Sequence, residues 1–337
     1  MTPVNGFARN VSLSLLVVFA ACLPCGHAHA NTTFALTYGS GLDSNPAARA
    51  AFDQAAANWS ALLKDPITVN IHVNLTSLGG TLAVTNSIWH LDDYSSIRDL
   101  VSANAGEVNN AREAALLPAL PTSAEFSAIL PVGWSVGGMS VTLANYHALG
   151  GTLDQGKLAG AVALSSDIAW DYNPADGIGA AQFDFVGLAM RQIGHVLGFM
   201  SDLDYIDAYL AYTPDYTMPT PLDLFRFAAA DAGSPTFDFT SAARYLTPGG
   251  SQVFYYGDGV AALSTGYYNG DGAPASLWEA GDMSNLMEPA VAAGQRMTIS
   301  QQDLIAMDLI GWDVVPEPAT LSVLAAGALL LMRRRRS

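Results

Sequence analysis

Cysteine is almost absent from this sequence: of 337 residues only Cys22 and Cys25 carry a thiol, and both fall in the first thirty. A product trimmed after them has no disulfide, so packing alone must stabilise it. Residues 31–315 are numerous enough to build one large core or two joined subdomains without covalent staples. Positive charge is also scarce. Residues 31–315 hold nine Lys and Arg against 29 Asp and Glu, about 20 net negative charges. Such a surface repels nucleic acid and anionic lipid, so no nucleic-acid partner is expected. Internal repeats and low-complexity tracts are missing, which excludes a solenoid or a filament subunit.

The two ends carry the apolar runs. Arg9 gives a weakly basic start, residues 11–22 are apolar, and Ala28-His29-Ala30 is a small-residue cleavage site. This pattern predicts a signal peptide over residues 1–30 and a mature chain beginning near Asn31, since the run falls short of the roughly 20 residues of a membrane span. Neither Cys22 nor Cys25 follows a good lipobox. At the other end stand Pro316, Glu317 and Pro318, an apolar stretch over 319–332, and four arginines over 333–336. The prolines break structure, the apolar segment enters a bilayer, and the arginines stay on its cytoplasmic side. This order resembles the PEP-CTERM sorting signal of Gram-negative bacteria. The resemblance implies recognition by an exosortase-type membrane enzyme, cleavage near Pro316-Glu317-Pro318, and delivery to the cell surface or extracellular matrix. The stretch of about 14 residues spans only about 21 Å as a helix, which favours a transient inner-membrane anchor over a permanent one.

Between the ends, periodicity predicts a strand at 33–37, a helix at 46–63 with Pro46 in its first turn, and a half-buried strand at 67–75. A helix is expected over 94–117, capped by Asp92 and Asp93 and stopped by Pro118 and Pro121. An apolar strand follows at 160–164 and a strong helix at 182–197, ending at Gly198. Beyond Phe199 the chain turns to Tyr-, Pro-, Gly- and Asp-rich loops, with a closing helix at 299–310. A boundary is placed there, giving subdomains 31–199 and 200–314 and a sorting tail at 315–337.

One segment carries the chemistry: Met190-Arg191-Gln192-Ile193-Gly194-His195-Val196-Leu197-Gly198-Phe199. Residues i and i+4 share a helix face, so two imidazoles at that spacing grip one Zn²⁺, while a glutamate beside the first takes a proton from metal-bound water. The segment resembles the His-Glu-x-x-His helix of zincins with its first two letters changed. Arg191 occupies the first ligand position and Gln192 the general-base position. A guanidinium does not coordinate a cation, and an amide does not accept the proton. Downstream, Ala275-Ser276-Leu277-Trp278-Glu279 and Asn285-Leu286-Met287-Glu288-Pro289 resemble the leishmanolysin-type metalloproteases, as does the closing segment 299–312. In that family a His-Trp pair supplies the third zinc ligand and a Leu-Met-x-Pro segment forms a methionine turn beneath the metal.

The resemblance covers about residues 160–312. It implies a zincin-like α+β fold: an N-terminal mixed sheet, an active-type helix beneath it, and an irregular C-terminal subdomain. It also implies that three of the four site residues are replaced, at Arg191, Gln192 and Leu277. Only His195 is retained as a ligand, with Gly198, Trp278 and Met287 as structural companions. Zinc belongs to intact members, and no cofactor is expected here. Asp202, Asp204 and Asp207 follow His195 closely; they are expected to pair with Arg191 or to cap the following loop rather than to complete a metal site. His72, His90 and His147 show no ligand spacing. Asp-Gly pairs at Asp176, Asp258 and Asp271 read as turns, and a calcium role would need several carboxylates converging on one ion. Gly133-Trp134-Ser135-Val136-Gly137 fits a nucleophile elbow in letters only, with no helix to follow it.

Three functions fit these residues. One is a surface-sorted, non-catalytic zinc-protease homologue whose cleft binds peptide, with 160–164 as the strand that pairs with it. The second is an active metallopeptidase with an irregular metal site. The third is a matrix or adhesion component that contacts an extracellular polymer.

Overall fold

Alternation of Val69, Ile71, Val73 and Leu75 with polar neighbours builds the centre of the main sheet in the computed structural model, which describes residues 31–105, 110–212, 215–281 and 285–315. The expected signal peptide and the sorting residues Pro316, Glu317 and Pro318 lie outside the described residues. Strand β1 (Thr33–Tyr38) runs parallel to β2 (Thr68–Thr76), and β2 runs parallel to β4 (Leu158–Ser165). Strand β3 (Ala83–Ser87) lies antiparallel to β4 and closes the sheet, giving the order β1-β2-β4-β3.

Helix α1 (Pro46–Ser60) begins where Asn45 accepts the Ala48 N–H at 3.0 Å and Pro46 takes the first helical position. Its buried face is mostly alanine, with Phe52 and Trp59 as the two large side chains. The small residues let it approach helix α2 (Phe185–Val196), and the Trp59 indole N–H donates to the Met190 carbonyl at 2.9 Å.

The second half is a mixture of turns and short strands around a three-stranded antiparallel sheet of Arg226–Ala228, Gln252–Tyr255 and Val260–Leu263. Phe225, Phe227 and Phe254 fill its core. Arg226, fully buried, ion-pairs with Asp223 at 3.3 Å and donates to Gln252 Oε1 and to the carbonyls of Ser264 and Ala275. The guanidinium of Arg244 lies between the rings of Phe227 and Phe239, 4.7 and 4.9 Å from their centroids. Helix α3 (Gln301–Leu309) closes the described chain. The architecture is α+β with several sheets.

Several elements differ from expectation. The helix expected over 94–117 is two helices, Tyr94–Ala103 and Ala111–Leu116. Asn110 caps the second by accepting from Arg112 N and Glu113 N, which defines a new start. Asp93 takes the cap position of the first helix without a side-chain capping bond. The helix expected from 182 begins at Phe185 because Phe183–Asp184 bridges to Trp170–Asp171 and the Asp184 carboxylate caps the first turn. The segment 160–164, expected as the cleft-edge strand, is interior: β4 is bonded to β2 on one side and β3 on the other. The edge belongs to β3. Both tryptophans near the motif, Trp278 and Trp312, are fully buried core residues.

Candidate functional site

Helix α2 is buried along its whole length except at one residue: His195 alone is partly open. Asp184 fixes its start, accepting the N–H groups of Gly187 and Met297 at 2.9 Å each. Its end is fixed twice. The Trp312 indole donates to the Leu197 carbonyl at 2.7 Å, and Gly198 turns the chain with φ +112°. A Cβ at that position would lie 2.9 Å from Asn145 Cβ, so glycine is needed both for the dihedral and for the space.

The His195 Nδ1 lies 2.9 Å from the Phe199 carbonyl. A carbonyl only accepts, so Nδ1 carries the proton and Nε2 keeps its lone pair. Burial, and secondarily the nearby Arg191 charge, push the imidazole pKa down to about 4, which leaves it neutral at neutral pH.

Gln192 is not free in the cleft. The Thr85 hydroxyl on β3 donates to its Oε1 at 2.7 Å, so the amide ties the edge strand to the helix. Ser87 donates to the His195 carbonyl at 3.3 Å one turn further along. Arg191 points its Nε at the Leu286 carbonyl, 2.8 Å away, and an Nη at the Ala290 carbonyl, 3.3 Å away. Burial lowers its pKa to about 10, partly offset by the charges of Asp303 and Glu288, and it stays protonated.

Met287 sits beneath the helix: its Sδ would be 3.2 Å from a Cβ at Gly194, with Trp59 on the same spot at 3.4 Å. The absent side chain of Gly194 is what admits both. The Trp278 N–H donates to the Met287 carbonyl, and its ring packs edge-on to Phe199 with centroids 5.0 Å apart. Leu277 is buried beside it, its carbonyl accepting from Ser264 N at 3.0 Å.

One residue of this assembly escaped the sequence reading. The buried carboxylate of Asp303 accepts from Trp278 Nε1 (2.8 Å), Leu286 N (2.8 Å), Met287 N (3.2 Å), Ser300 N (2.8 Å) and Ser300 Oγ (2.7 Å). It forms a capping box for α3 and at the same time holds the 286–287 turn. The signal was present as Ser300 followed three residues later by Asp303, a helix-start pattern.

The three aspartates after His195 do not pair with Arg191. Asp202 accepts from Thr217 Oγ1 and Met218 N, Asp204 from Ala275 N and from Ser276, and Asp207 from Tyr268 N and Asn269 N. Each carboxylate ties down a distant loop, satisfying backbone donors that no strand partner reaches. The guanidinium uses peptide carbonyls instead.

These groups do not fit zinc. A tetrahedral site needs three side-chain donors with free lone pairs; of the residues expected at ligand positions, Arg191 is a protonated guanidinium and Leu277 an aliphatic chain, and neither coordinates a cation. The carboxylates that follow are engaged by backbone N–H groups. Among the described residues no group of three or more His, Cys, Asp and Glu converges as a metal site. His72 and His90 sit on strands; His72 Nδ1 is 3.1 Å from Thr37 Oγ1 and His90 lies 3.6 Å from Asp92. The segment Trp134–Val136 is a strand parallel to Asp215–Thr217, with no helix after it.

The end of β3 opens into a cleft of about 440 Å³, walled by Trp89, Leu91, Tyr205, Tyr216 and Met218, with Asp202 in the wall. Trp89, which lines it, follows the end of β3 by two residues, and among the described residues no strand pairs with the outer side of β3. Ser165 N donates to the Leu82 carbonyl and Ile88 N to the Ala159 carbonyl, which makes the even-numbered residues of β3 those bonded to β4. By the alternation of an antiparallel ladder, the backbone groups of Ala83, Thr85 and Ser87 point away from the sheet. No family model, curated protein or solved structure matches this chain.

Proposed function

We propose that this chain is an exported, surface-sorted homologue of the zinc metalloproteases that does not catalyse hydrolysis and binds an extended peptide along the free edge of β3. The zincin-like reading draws support from the mixed sheet with an antiparallel edge strand, from the helix below it that opens only at His195, and from the methionine beneath Gly194. The loss of catalysis rests on a single observation: Arg191 donates to two backbone carbonyls from the position where the first ligand would stand. Gln192, tied to Thr85, offers no base.

Peptide binding needs a row of unpaired backbone groups, and the outward faces of Ala83, Thr85 and Ser87 provide it. His195, the one partly open residue of α2, keeps its lone pair on Nε2 and is a neutral acceptor. The tail beginning at Pro316 addresses the protein to an exosortase-type enzyme and the cell surface, and the acidic body stays clear of anionic lipid.

The test is hydrolysis of casein or gelatin by the purified protein with and without a chelator. No cleavage above a buffer blank is expected in either case. Cleavage that the chelator abolishes would make the chain an active metallopeptidase. A companion variant, Arg191→His with Gln192→Glu and Leu277→His, is expected to gain zinc binding. A folded triple variant that binds no zinc would remove the proposed correspondence of these positions with the zincin site.

A further inference from the structure

The cleft at the end of β3 combines two features that the β3 edge alone does not explain. Its walls are aromatic and apolar yet solvent-facing: Trp89, Leu91, Tyr205 and Tyr216 are all exposed, Tyr216 at 57 %. Its charge is one-sided. Asp202 and Asp204 line it, and no Lys, Arg or His is among the residues that do. Behind them lies the buried Asp223, whose charge is answered directly by the guanidinium of Arg226. Arg226 also favours the ionised form of Asp204, whereas the neighbours of Asp202 are the like charges of Asp223 and Asp204.

We propose that this cleft is the receptor for a lysine or arginine side chain of the peptide bound along β3, with the cation facing Asp202 and the aliphatic stem against Trp89, Tyr216 and Met218. The proposal rests on the peptide-binding reading, because Ser87 ends β3 and Trp89 begins the cleft wall two residues later. Each half of such a side chain meets its complement. The stem covers apolar surface, and the charged head lies by aromatic faces and a carboxylate. Both hydrogen bonds that Asp202 accepts end on Oδ2, from Thr217 and Met218. Oδ1 is the oxygen available to a ligand. Burial, followed by the two neighbouring carboxylates, raises the Asp202 pKa to about 6, so at neutral pH the group is ionised and poorly compensated. A cation relieves that cost; a neutral ligand leaves it in place. A neutral polysaccharide also stacks on aromatic walls, yet it carries no charge to answer Asp202 and Asp204.

The experiment measures binding of alanine-rich octapeptides to the full mature chain, with one arginine moved through each position and citrulline, its neutral isostere, as the control. At one position arginine is expected to bind about tenfold more tightly than citrulline, and the ratio to shrink as salt is raised. Asp202→Asn and Tyr216→Ala are expected to bring the ratio near one. The Tyr216 side chain is exposed, so Tyr216→Ala decides the matter if Asp202→Asn does not fold. Ala83→Pro removes an outward N–H of β3 without touching the cleft, and is expected to weaken both peptides equally.

A ratio of one at every position, with weaker binding in Ala83→Pro, would overturn the cleft assignment and leave the β3 reading standing. A tenfold ratio with affinities that Ala83→Pro does not change supports the cleft and removes the β3 reading. No binding of any peptide overturns both, and binding of a neutral hexasaccharide that Tyr216→Ala abolishes, with a ratio of one at every position, overturns the cleft assignment.

Discussion

Arg191 and His195 stand one turn apart on α2, and their protonation states are set by the same burial. For Arg191 the carbonyls of Leu286 and Ala290 accept the guanidinium's hydrogen bonds, while the charges of Asp303 and Glu288 favour its protonated form. Arg191→Ala strands two buried acceptors and is expected to cost about 3 kcal/mol, read from urea unfolding at neutral pH. The partners of this arginine were not legible in the sequence, which offers three aspartates within 16 residues. Those aspartates bond to loops up to 72 residues away, a distribution only the tertiary fold decides. His195 carries a pH signature. Its folded pKa of about 4 lies below the roughly 6.5 of an unfolded histidine, so the unfolded chain takes up its proton first. Stability is therefore lost through this residue as pH falls from about 6.5 to 4, by about 3 kcal/mol in all. Asp202 acts in the opposite sense. Its folded pKa of about 6 exceeds the roughly 3.9 of an unfolded aspartate, so its contribution is full below pH 4 and is lost as pH rises through 6. Unfolding curves at pH 7 and pH 4 for the native chain and two variants separate the two. Relative to the native chain, His195→Asn is expected to gain stability on acidification and Asp202→Asn to lose it.

At the scale of elements, Asp303 joins the start of α3 to the turn at Leu286 and Met287 and to the Trp278 indole. Asp303→Ala leaves five donors without their acceptor, and a loss of about 4 kcal/mol is expected in denaturant unfolding. The near-isosteric Asp303→Asn is expected to lose less. Strand existence was legible, since β1, β2 and β4 all fall where the apolar pattern placed them. Strand position was misjudged. The run Gly160-Ala161-Val162-Ala163-Leu164 is apolar on both faces, the mark of an interior strand, whereas Ala83-Val84-Thr85-Asn86-Ser87 mixes polar and apolar residues as an edge does. The break between Tyr94–Ala103 and Ala111–Leu116 was missed although Asn104, Gly106, Asn109 and Asn110, poor helix formers and good caps, mark it in the sequence. For α2 the reading succeeded at its end, where Gly198 fixes the turn, and ran long at its start, where Asp184 caps.

Over the whole molecule, nine basic residues against 29 acidic ones in residues 31–315 leave few cations to spare, and the buried ones are consumed by structure. Arg191, Arg226 and Arg244 are all buried: Arg226 is locked to Asp223, Arg244 is sandwiched between phenylalanines, and Arg191 is tied to the carbonyls of Leu286 and Ala290. The direct measurement is the zinc content of the protein purified from its native host, by elemental analysis against protein concentration. The account predicts less than about a tenth of an equivalent, because in the proposed correspondence a charged guanidinium takes a ligand position. One equivalent of a transition metal, retained through dialysis and lost in His195→Ala, would contradict it.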